Sequence, residues 1–333
     1  MTHGARHGSP VIDAERCVHA HAAQASCCRC ASACPHDALR LTDQSLEFDE
    51  AACTGCGHCR PACPETAIAF PGISLEPVVD KEAGEVYLAC SATIPEGGPG
   101  TLPCLHIMGE RDLSQMASDG VSQLRVARGA CADCMQRAAA TIEDHLFAVN
   151  RLLISRGQVQ IELVDETPPS WRQRVASTSA QGRALNASRR ALFSGLFPKP
   201  AGRSQNTDSS AMLARFAPLI EAAACSGCDA CARICPHGAI LLMYDEAGLR
   251  YATKPHACTG CGLCTDLCDH DAIRIEAFAP AGAMRLALTE GRCTRCGAPF
   301  HEPEPDTNGP KAQELCRICR THRHPTKLFE VRG

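Results

Sequence analysis

The sequence of 333 residues has little of several features that mark other classes of protein. Aromatic residues make up only 4% of the chain, so no part of it can depend on a large aromatic core. The net charge of −4 argues against a nucleic-acid-binding protein, which normally shows a basic bias. No apolar run approaches the ~20 residues that a membrane-spanning helix needs. Residues 1–10 lack the apolar core of a secretory signal, so we expect a cytoplasmic protein.

Motifs for organic cofactors and for covalently bound haem are also missing. The chain has no Gly-x-Gly-x-x-Gly after a strand, no P-loop and no Cys-x-x-Cys-His. It also lacks the Cys-x3-Cys-x2-Cys motif of radical enzymes. With no visible place for a two-electron organic cofactor or a substrate, a self-contained enzyme is the weaker hypothesis.

Cysteine, by contrast, is abundant, and most of the 25 cysteines fall in ordered runs. Four runs end in Cys-x-x-Cys-x-x-x-Cys, arranged as two couples that lie roughly half the protein apart. Soft, anionic thiolates hold iron well, and this spacing brings consecutive sulfurs round three corners of one iron–sulfur cube. So many thiols without a secretory signal favour metal ligation in a reducing compartment over disulfides.

In runs of this kind, the last cysteine serves the cluster of the other run, so each couple is one folding unit with two interlocked ligand sets. The sets of the second couple are Cys225, Cys228, Cys231 and Cys268, and Cys258, Cys261, Cys264 and Cys235. The sets of the first couple are Cys17, Cys27, Cys30 and Cys63, and Cys53, Cys56, Cys59 and Cys34.

Two positions depart from the regular pattern. Gln24 stands three residues before Cys27 and cannot ligate, so Cys17 is predicted to replace it. Cys28 is then left over, either as a spare buried thiol or as the true ligand. Asp269 follows Cys268 where proline is usual, which should be tolerated because proline shapes the turn and is not a ligand.

These residues resemble bacterial-type ferredoxins that hold two [4Fe–4S] clusters, over about 17–75 and 220–280. The resemblance implies four [4Fe–4S] clusters in all. We expect an α+β protein in which two ferredoxin-like modules, residues 1–75 and 211–282, flank a small α/β domain.

That domain, residues 76–165, alternates predicted strands with predicted helices. Strands are expected within 85–90, 101–105, 122–129 and 159–165, and helices within 110–120 and 136–157. Loops at the carboxyl ends of parallel strands gather on one edge of a sheet. Four cysteines follow the first three strands and could converge there, namely Cys90, Cys104, Cys131 and Cys134.

This segment resembles the small iron–sulfur subunit of methyl-viologen-reducing hydrogenase, over roughly 85–165. The resemblance rests on Cys90, on the PCL around Cys104 and on the GACADC around Cys131 and Cys134. It implies a [2Fe–2S] cluster that relays electrons to a ferredoxin-like neighbour. A zinc site, a redox-active dithiol and unligated cysteines are the alternatives.

The remaining segments are a linker and a tail. Residues 166–210 are rich in Ser, Pro, Gly and Arg, and predict a flexible tether or a basic docking segment for an acidic partner. A short amphipathic helix within 187–197 is a further prediction. The tail, residues 283–333, carries two Cys-x-x-Cys knuckles with zinc-ribbon spacing, which favours structural zinc over another iron–sulfur centre. Its ligands would be Cys293, Cys296, Cys316 and Cys319.

Together these features predict a multi-cluster electron-transfer protein or subunit. Its partner would be a flavin- or molybdenum-containing oxidoreductase, or an enzyme of the hydrogenase or disulfide-reductase type. A redox sensor or an iron–sulfur assembly factor is the alternative, and a subunit of a disulfide-type reductase is a third.

Overall fold

The computed structural model describes residues 8–42, 46–189, 212–304 and 314–321. The chain divides into two compact units. The first comprises Met1–Ala20 and Cys28–Asp208, and the second comprises His21–Cys27 and Ser209–Gly333. Among the helices in the described ranges, none combines the length and the apolar character that crossing a bilayer requires.

The first unit begins with a small module built around the first couple of cysteine runs. Two antiparallel strand pairs, β1 with β4 and β2 with β3, are accompanied by one short helix for each run. The elements are β1 (Val11–Ile12), α1 (Arg29–Ser32), β2 (Leu39–Leu41), β3 (Leu46–Phe48), α2 (Cys59–Ala62) and β4 (Ile68–Ala69). A compact apolar cluster of Leu39, Ile68 and Phe70 packs against Cys59.

A five-stranded sheet forms the second part of this unit. Its strands lie in the order β5-β6-β8-β9, and β7 pairs with the end of β6. The pairs among β6, β7, β8 and β9 are parallel, whereas β5 is antiparallel to β6. The elements are β5 (Val78–Asp80), β6 (Glu85–Cys90), β7 (Thr101–Leu102), α3 (Glu110–Ser118), β8 (Gln123–Ala127), α4 (Ile142–Ser155), β9 (Glu162–Asp165) and α5 (Pro168–Arg189).

Helices cover both faces of this sheet because successive strand residues point to opposite sides. Leu88 of β6 packs in the cluster that includes Leu113 of α3 and Leu146 of α4. Its neighbour Tyr87 packs on the other face, in a cluster with Trp171 of α5. Leu88 and Leu113 are fully buried, so this face is the apolar centre of the unit.

Two sequence-based expectations differ from the structure in this unit. The helix expected within 136–157 begins at Ile142, because Thr141 and Asp144 cap it reciprocally. The first part of the segment expected to be a linker forms the helix α5 instead. Its Trp171 and Val175 are buried one helical turn apart. The remainder of that segment, 190–210, lies outside the described residues, as does most of the amphipathic helix predicted within 187–197.

The second unit repeats the two-pair arrangement around the second couple of runs. The strands β10 (Leu213–Ile220) and β13 (Ile273–Pro280) pair antiparallel, as do β11 (Ile240–Asp245) and β12 (Gly248–Thr253). Along the chain, the short helix α6 (Ala230–Ile234) lies between β10 and β11, and the short helix α7 (Leu263–Asp266) lies between β12 and β13. Its core contains Ile220, Ile240 and Tyr251.

The tail continues the sheet of this module instead of starting a separate one. The strand β14 (Arg285–Arg292) pairs with β12, and β15 (Pro299–Pro303) pairs with β14, giving the order β11-β12-β14-β15. The last described element is α8 (Arg317–Thr321). Leu288 of β14 is buried in the module core, so the tail and the module share apolar contacts.

Candidate metal centres

One pocket of the N-terminal module is lined by a complete predicted ligand set. Cys53, Cys56 and Cys59 come from the second run and Cys34 from the first, and all four face about 320 Å³ of atom-free space. Leu39, Phe48 and Phe70 form apolar walls around them. The crosswise arrangement expected from the sequence is therefore compatible with this geometry, and ligation by these residues stays a prediction.

The second unit holds two pockets of the same kind. One, with about 340 Å³ of atom-free space, is lined by Cys225, Cys228, Cys231 and Cys268. The other, with about 310 Å³, is lined by Cys235, Cys258, Cys261 and Cys264. In each case, the last cysteine of one run lies with the first three of the other run, although the intervening chain contains a strand hairpin.

Burial raises the pKa of several of these thiols and so limits when they can act as thiolate ligands. Burial raises the pKa of Cys231 to about 12, and neighbouring thiols add to the effect. Burial likewise raises the pKa of Cys264 to about 12 and that of Cys59 further still. A buried thiolate at neutral pH therefore requires a metal cation beside it, because the cation's charge favours the deprotonated form. The donor set and the apolar walls fit an iron–sulfur cluster.

A turn with one geometry follows the last cysteine of every run. The cysteine sulfur accepts a hydrogen bond from the backbone N–H four residues later, at 3.2–3.3 Å. The third residue after the cysteine has a left-handed backbone in all four turns: Asp37 (φ 50°), Thr66 (φ 51°), Gly238 (φ 59°) and Asp271 (φ 50°). Cys268 makes this turn although Asp269 follows it, so the turn does not depend on proline.

The irregular ligand set of the first couple is brought together in part. Arg16, the residue before Cys17, donates a hydrogen bond to Thr66 Oγ1 in the turn that follows Cys63. Cys30 lies in α1, and it packs with Cys63 against the apolar cluster of the module. Cys27 belongs to the short segment that is grouped with the second unit. Cys28, expected as a spare buried thiol, is exposed instead.

The middle set gathers at the carboxyl edge of the parallel strands. Cys90 ends β6, Cys104 follows β7, and Cys131 and Cys134 follow β8 in a 3₁₀ turn. Burial raises the pKa of Cys104 to about 12, with smaller contributions from the charges of Cys90, Cys56 and Cys131. Cys134 acts in the same way on Cys90. The four thiols therefore lie at the same edge of the sheet, and ligation of a common centre by them stays a prediction.

A buried histidine that no sequence pattern indicates lies beside this set. His58 stands between Cys56 and Cys59, and its ring lies 3.2 Å from the sulfur of Cys104, measured from Nε2. Burial lowers the pKa of His58 to about 4, helped by the neighbouring His106 and His36. Only tertiary packing brings His58 to Cys104, because the two are separated by 46 positions.

The tail tetrad has a tighter geometry than the cubane pockets. The sulfurs of Cys293, Cys296, Cys316 and Cys319 all lie within 4.8 Å of one another. The distance from Cys296 Sγ to Cys316 Sγ is 3.8 Å, close to the edge of about 3.8 Å expected for a tetrahedron with metal–sulfur bonds of about 2.3 Å. Burial acts to raise the pKa of Cys293, but backbone N–H groups of Cys296 and Cys316 outweigh it and lower the value to about 6. These donors suit a thiolate.

His301, a residue of the tail, contacts the ferredoxin-like module rather than the tetrad. Its Nε2 lies 2.8 Å from Oδ1 of the buried Asp229, which also accepts a 2.6 Å hydrogen bond from the Tyr251 hydroxyl. Asp229 lies between Cys228 and Cys231 and has a left-handed backbone. The backbone oxygen of His301 leaves no room for a side chain at Gly227, where an added Cβ would come within 2.0 Å of it. Strand β15 is therefore seated on the loop of this cysteine run.

Replacing Tyr251 with phenylalanine tests this network. We expect Tyr251→Phe to lower the free energy of unfolding of the second unit by about 1–3 kcal/mol, because a buried carboxylate loses a hydrogen-bond donor. Urea unfolding of the anaerobic, metal-loaded chain measures the change. Tyr244→Phe is the matched control, since Tyr244 is 75% exposed, and equal stability of the two variants would contradict the assignment.

Comparison with known protein families covers parts of both modules. Residues 224–273 match the family model described as a 4Fe-4S dicluster domain. Residues 46–69 match the one described as a 4Fe-4S binding domain. No curated protein matches the chain. The chain therefore contains two 4Fe-4S ferredoxin-type domains, as the cysteine runs predict, while the middle set and the tail tetrad lie outside the matched residues.

Proposed function

We propose that this chain, with its two 4Fe-4S ferredoxin-type domains, is a multi-centre electron-transfer protein that passes single electrons between redox partners. The observation that carries the proposal is the crosswise lining of three pockets, each by four cysteines from two different runs. Cysteines with a purely structural role need not bring the last residue of one run into the pocket of the other run. Shared ligation of two clusters requires this arrangement.

When bound, an iron–sulfur cluster supplies a site that accepts and releases one electron. The residues around each pocket hold the site in place and keep water from it, through apolar side chains such as Leu39, Ile220 and Ile240. The four N–H···S bonds that follow the runs stabilise charge on sulfur, which favours the reduced state. These features favour an electron-transfer function over a catalytic one.

The remaining set of the first couple and the middle set belong to the same proposal. A fourth [4Fe–4S] cluster is proposed for Cys17, Cys27, Cys30 and Cys63, and its support is the hydrogen bond of Arg16, the residue before Cys17, to Thr66 in the turn after Cys63. A [2Fe–2S] cluster is assigned to Cys90, Cys104, Cys131 and Cys134, supported by their gathering at one edge of the sheet.

A structural zinc ion is proposed for the tail. The 3.8 Å separation of Cys296 and Cys316 fits two ligands of a single ion. A cubane places each thiolate on a different iron and so holds the sulfurs farther apart. The closed set of four sulfurs leaves no open coordination position, which suits a structural rather than a catalytic role.

The electron partner is proposed to be a flavin- or molybdenum-containing oxidoreductase, or an enzyme of the hydrogenase or disulfide-reductase type. The support is indirect, since the sequence offers no motif for a two-electron cofactor. A chain that moves single electrons needs such a partner to complete chemistry on an organic substrate.

Metal and sulfide analysis of the anaerobically purified chain tests the proposal. We expect about 16 irons with matching sulfide for four cubanes, about two more for the middle centre, and about one zinc. Stepwise reduction followed by paramagnetic resonance should reveal several distinct centres. A preparation with one labile cluster and otherwise unreacted thiols would favour the sensor instead.

A further inference from the structure

The contact between His58 and Cys104 joins two of the proposed centres of the first unit. His58 lies in the run that lines the pocket of Cys53, Cys56, Cys59 and Cys34, and Cys104 belongs to the middle set. The imidazole is only 4% exposed, and its Nε2 lies 3.2 Å from the Cys104 sulfur. That distance is within the range of an N–H···S hydrogen bond.

Backbone packing holds the run against the segment that follows β7. Gly57 has a positive φ of 82°, and a Cβ added there would lie 2.2 Å from Cδ1 of Ile107. Two residues further on from His58, the guanidinium of Arg60 makes paired hydrogen bonds of 2.6 and 2.7 Å to Asp112 and one of 3.0 Å to the Ile107 carbonyl. His58 is thus clamped on both sides, which fixes the direction of its ring.

The polar surroundings of the ring decide which nitrogen carries the proton. His58 Nδ1 has no hydrogen-bond partner within the described part of the chain. A neutral imidazole has a single N–H, and placing it on Nδ1 would leave a buried donor unpaired while Nε2 faced the sulfur as a second acceptor. The Nε2–H tautomer leaves Nδ1 as an unpaired acceptor among the described residues but pairs the only N–H of the ring with the sulfur, so the ring donates to Cys104.

We propose that His58 is a positioning residue that donates an N–H···S hydrogen bond to Cys104 and thereby links the cubane pocket of Cys56 and Cys59 to the middle centre. This inference rests on the proposed function. The bond stabilises negative charge on the sulfur, so it favours the reduced form of the middle centre. It also supplies a path of covalent bonds and one hydrogen bond between the two ligand sets.

Redox titration of the full-length, metal-loaded chain, followed by paramagnetic resonance, tests the inference. His58→Phe keeps a ring of similar size and removes the donor. We expect its middle centre to be harder to reduce, with the ratio of reduced to oxidised centre at fixed solution potential falling about tenfold, or about 59 mV. His58→Gln, which restores an N–H donor, should recover part of that change.

A second readout separates hydrogen bonding from packing. In the wild-type protein labelled with ¹⁵N-histidine, the signal of the middle centre should show a nitrogen coupling and an exchangeable proton coupling, and His58→Phe should lose both. His106→Gln is the control. Its ring centroid lies 6.0 Å from that of His58, and its Nδ1 accepts from the Ile142 N–H, so it should leave the potential unchanged.

Each remaining outcome counts against the inference. An unchanged ratio in His58→Phe, or an equal change in His106→Gln, overturns it while the proposed function stands. If His58→Phe does not fold, absence of the histidine coupling in the wild-type protein overturns it. If no signal of the wild-type chain is lost in Cys104→Ser, the middle centre itself is wrong, and this part of the proposed function fails together with the inference.

Discussion

Cys235→Ser is expected to remove the same paramagnetic signal as Cys261→Ser, with a loss of up to about four irons per chain. Cys235 follows Cys231 in the sequence, yet it lines the pocket of Cys258, Cys261 and Cys264. Cys268→Ser should in turn behave like Cys228→Ser, because those two residues line the other pocket. Iron analysis and spectra of the four variants measure the pairing.

The comparison needs a cysteine outside the proposed ligand sets, and Cys28 is such a residue. Cys28 is exposed, so Cys28→Ser should keep all signals and the full iron content. If Cys235→Ser instead abolished the signal that Cys228→Ser abolishes, each run would hold its own cluster. The crosswise ligand sets would then have to be abandoned.

Cys316→Ser is expected to release about one zinc per chain and to unfold the end of the tail. Cys316 is buried among the other three thiols, so a serine cannot complete the tetrahedral set. Cleavage by a protease within 293–304 should accelerate roughly tenfold or more, because local opening no longer breaks metal bonds. Zinc content and the cleavage pattern measure the two effects separately.

The same variant should also alter the signal of the pocket lined by Cys225, Cys228, Cys231 and Cys268. His301 of β15 contacts Asp229 in the loop of that run, so unfolding of the tail removes this contact. His301→Gln separates the effect of zinc loss from the effect of losing the contact with Asp229. This variant should keep its zinc, but its contact with Asp229 should be weaker. A Cys316→Ser chain that retained its zinc would contradict the assignment of the tetrad.

The sequence predicts much of this fold because its patterns are local. The strand expected at 85–90 coincides with β6, and the helix expected within 110–120 contains α3. Regular cysteine spacing predicts three ligand sets whose members line common pockets. Helix α5 was missed because its many Ser and Arg residues are typical of linkers, although Trp171 and Val175 stand at helical spacing.

Contacts between distant segments could not be predicted in this way. His58 appears in the sequence as one residue of a cysteine run, and nothing local connects it to Cys104. The pairing of β14 with β12 could not be predicted either. Judged from its own sequence, each strand could have been the edge strand of a separate sheet. The cysteine runs are recognised from short-range spacing, whereas the contacts between the proposed ligand sets depend on packing.

The alternation of cysteines between runs has a consequence for biosynthesis. A ribosome releases Cys225, Cys228 and Cys231 well before Cys268, and it releases Cys235 before any residue of the run that begins at Cys258. Under the proposed ligand sets, neither cluster of this module can be closed until the later run has emerged. Cofactor insertion should therefore occur as a late, paired event, and truncated nascent chains should carry no complete cluster in this module.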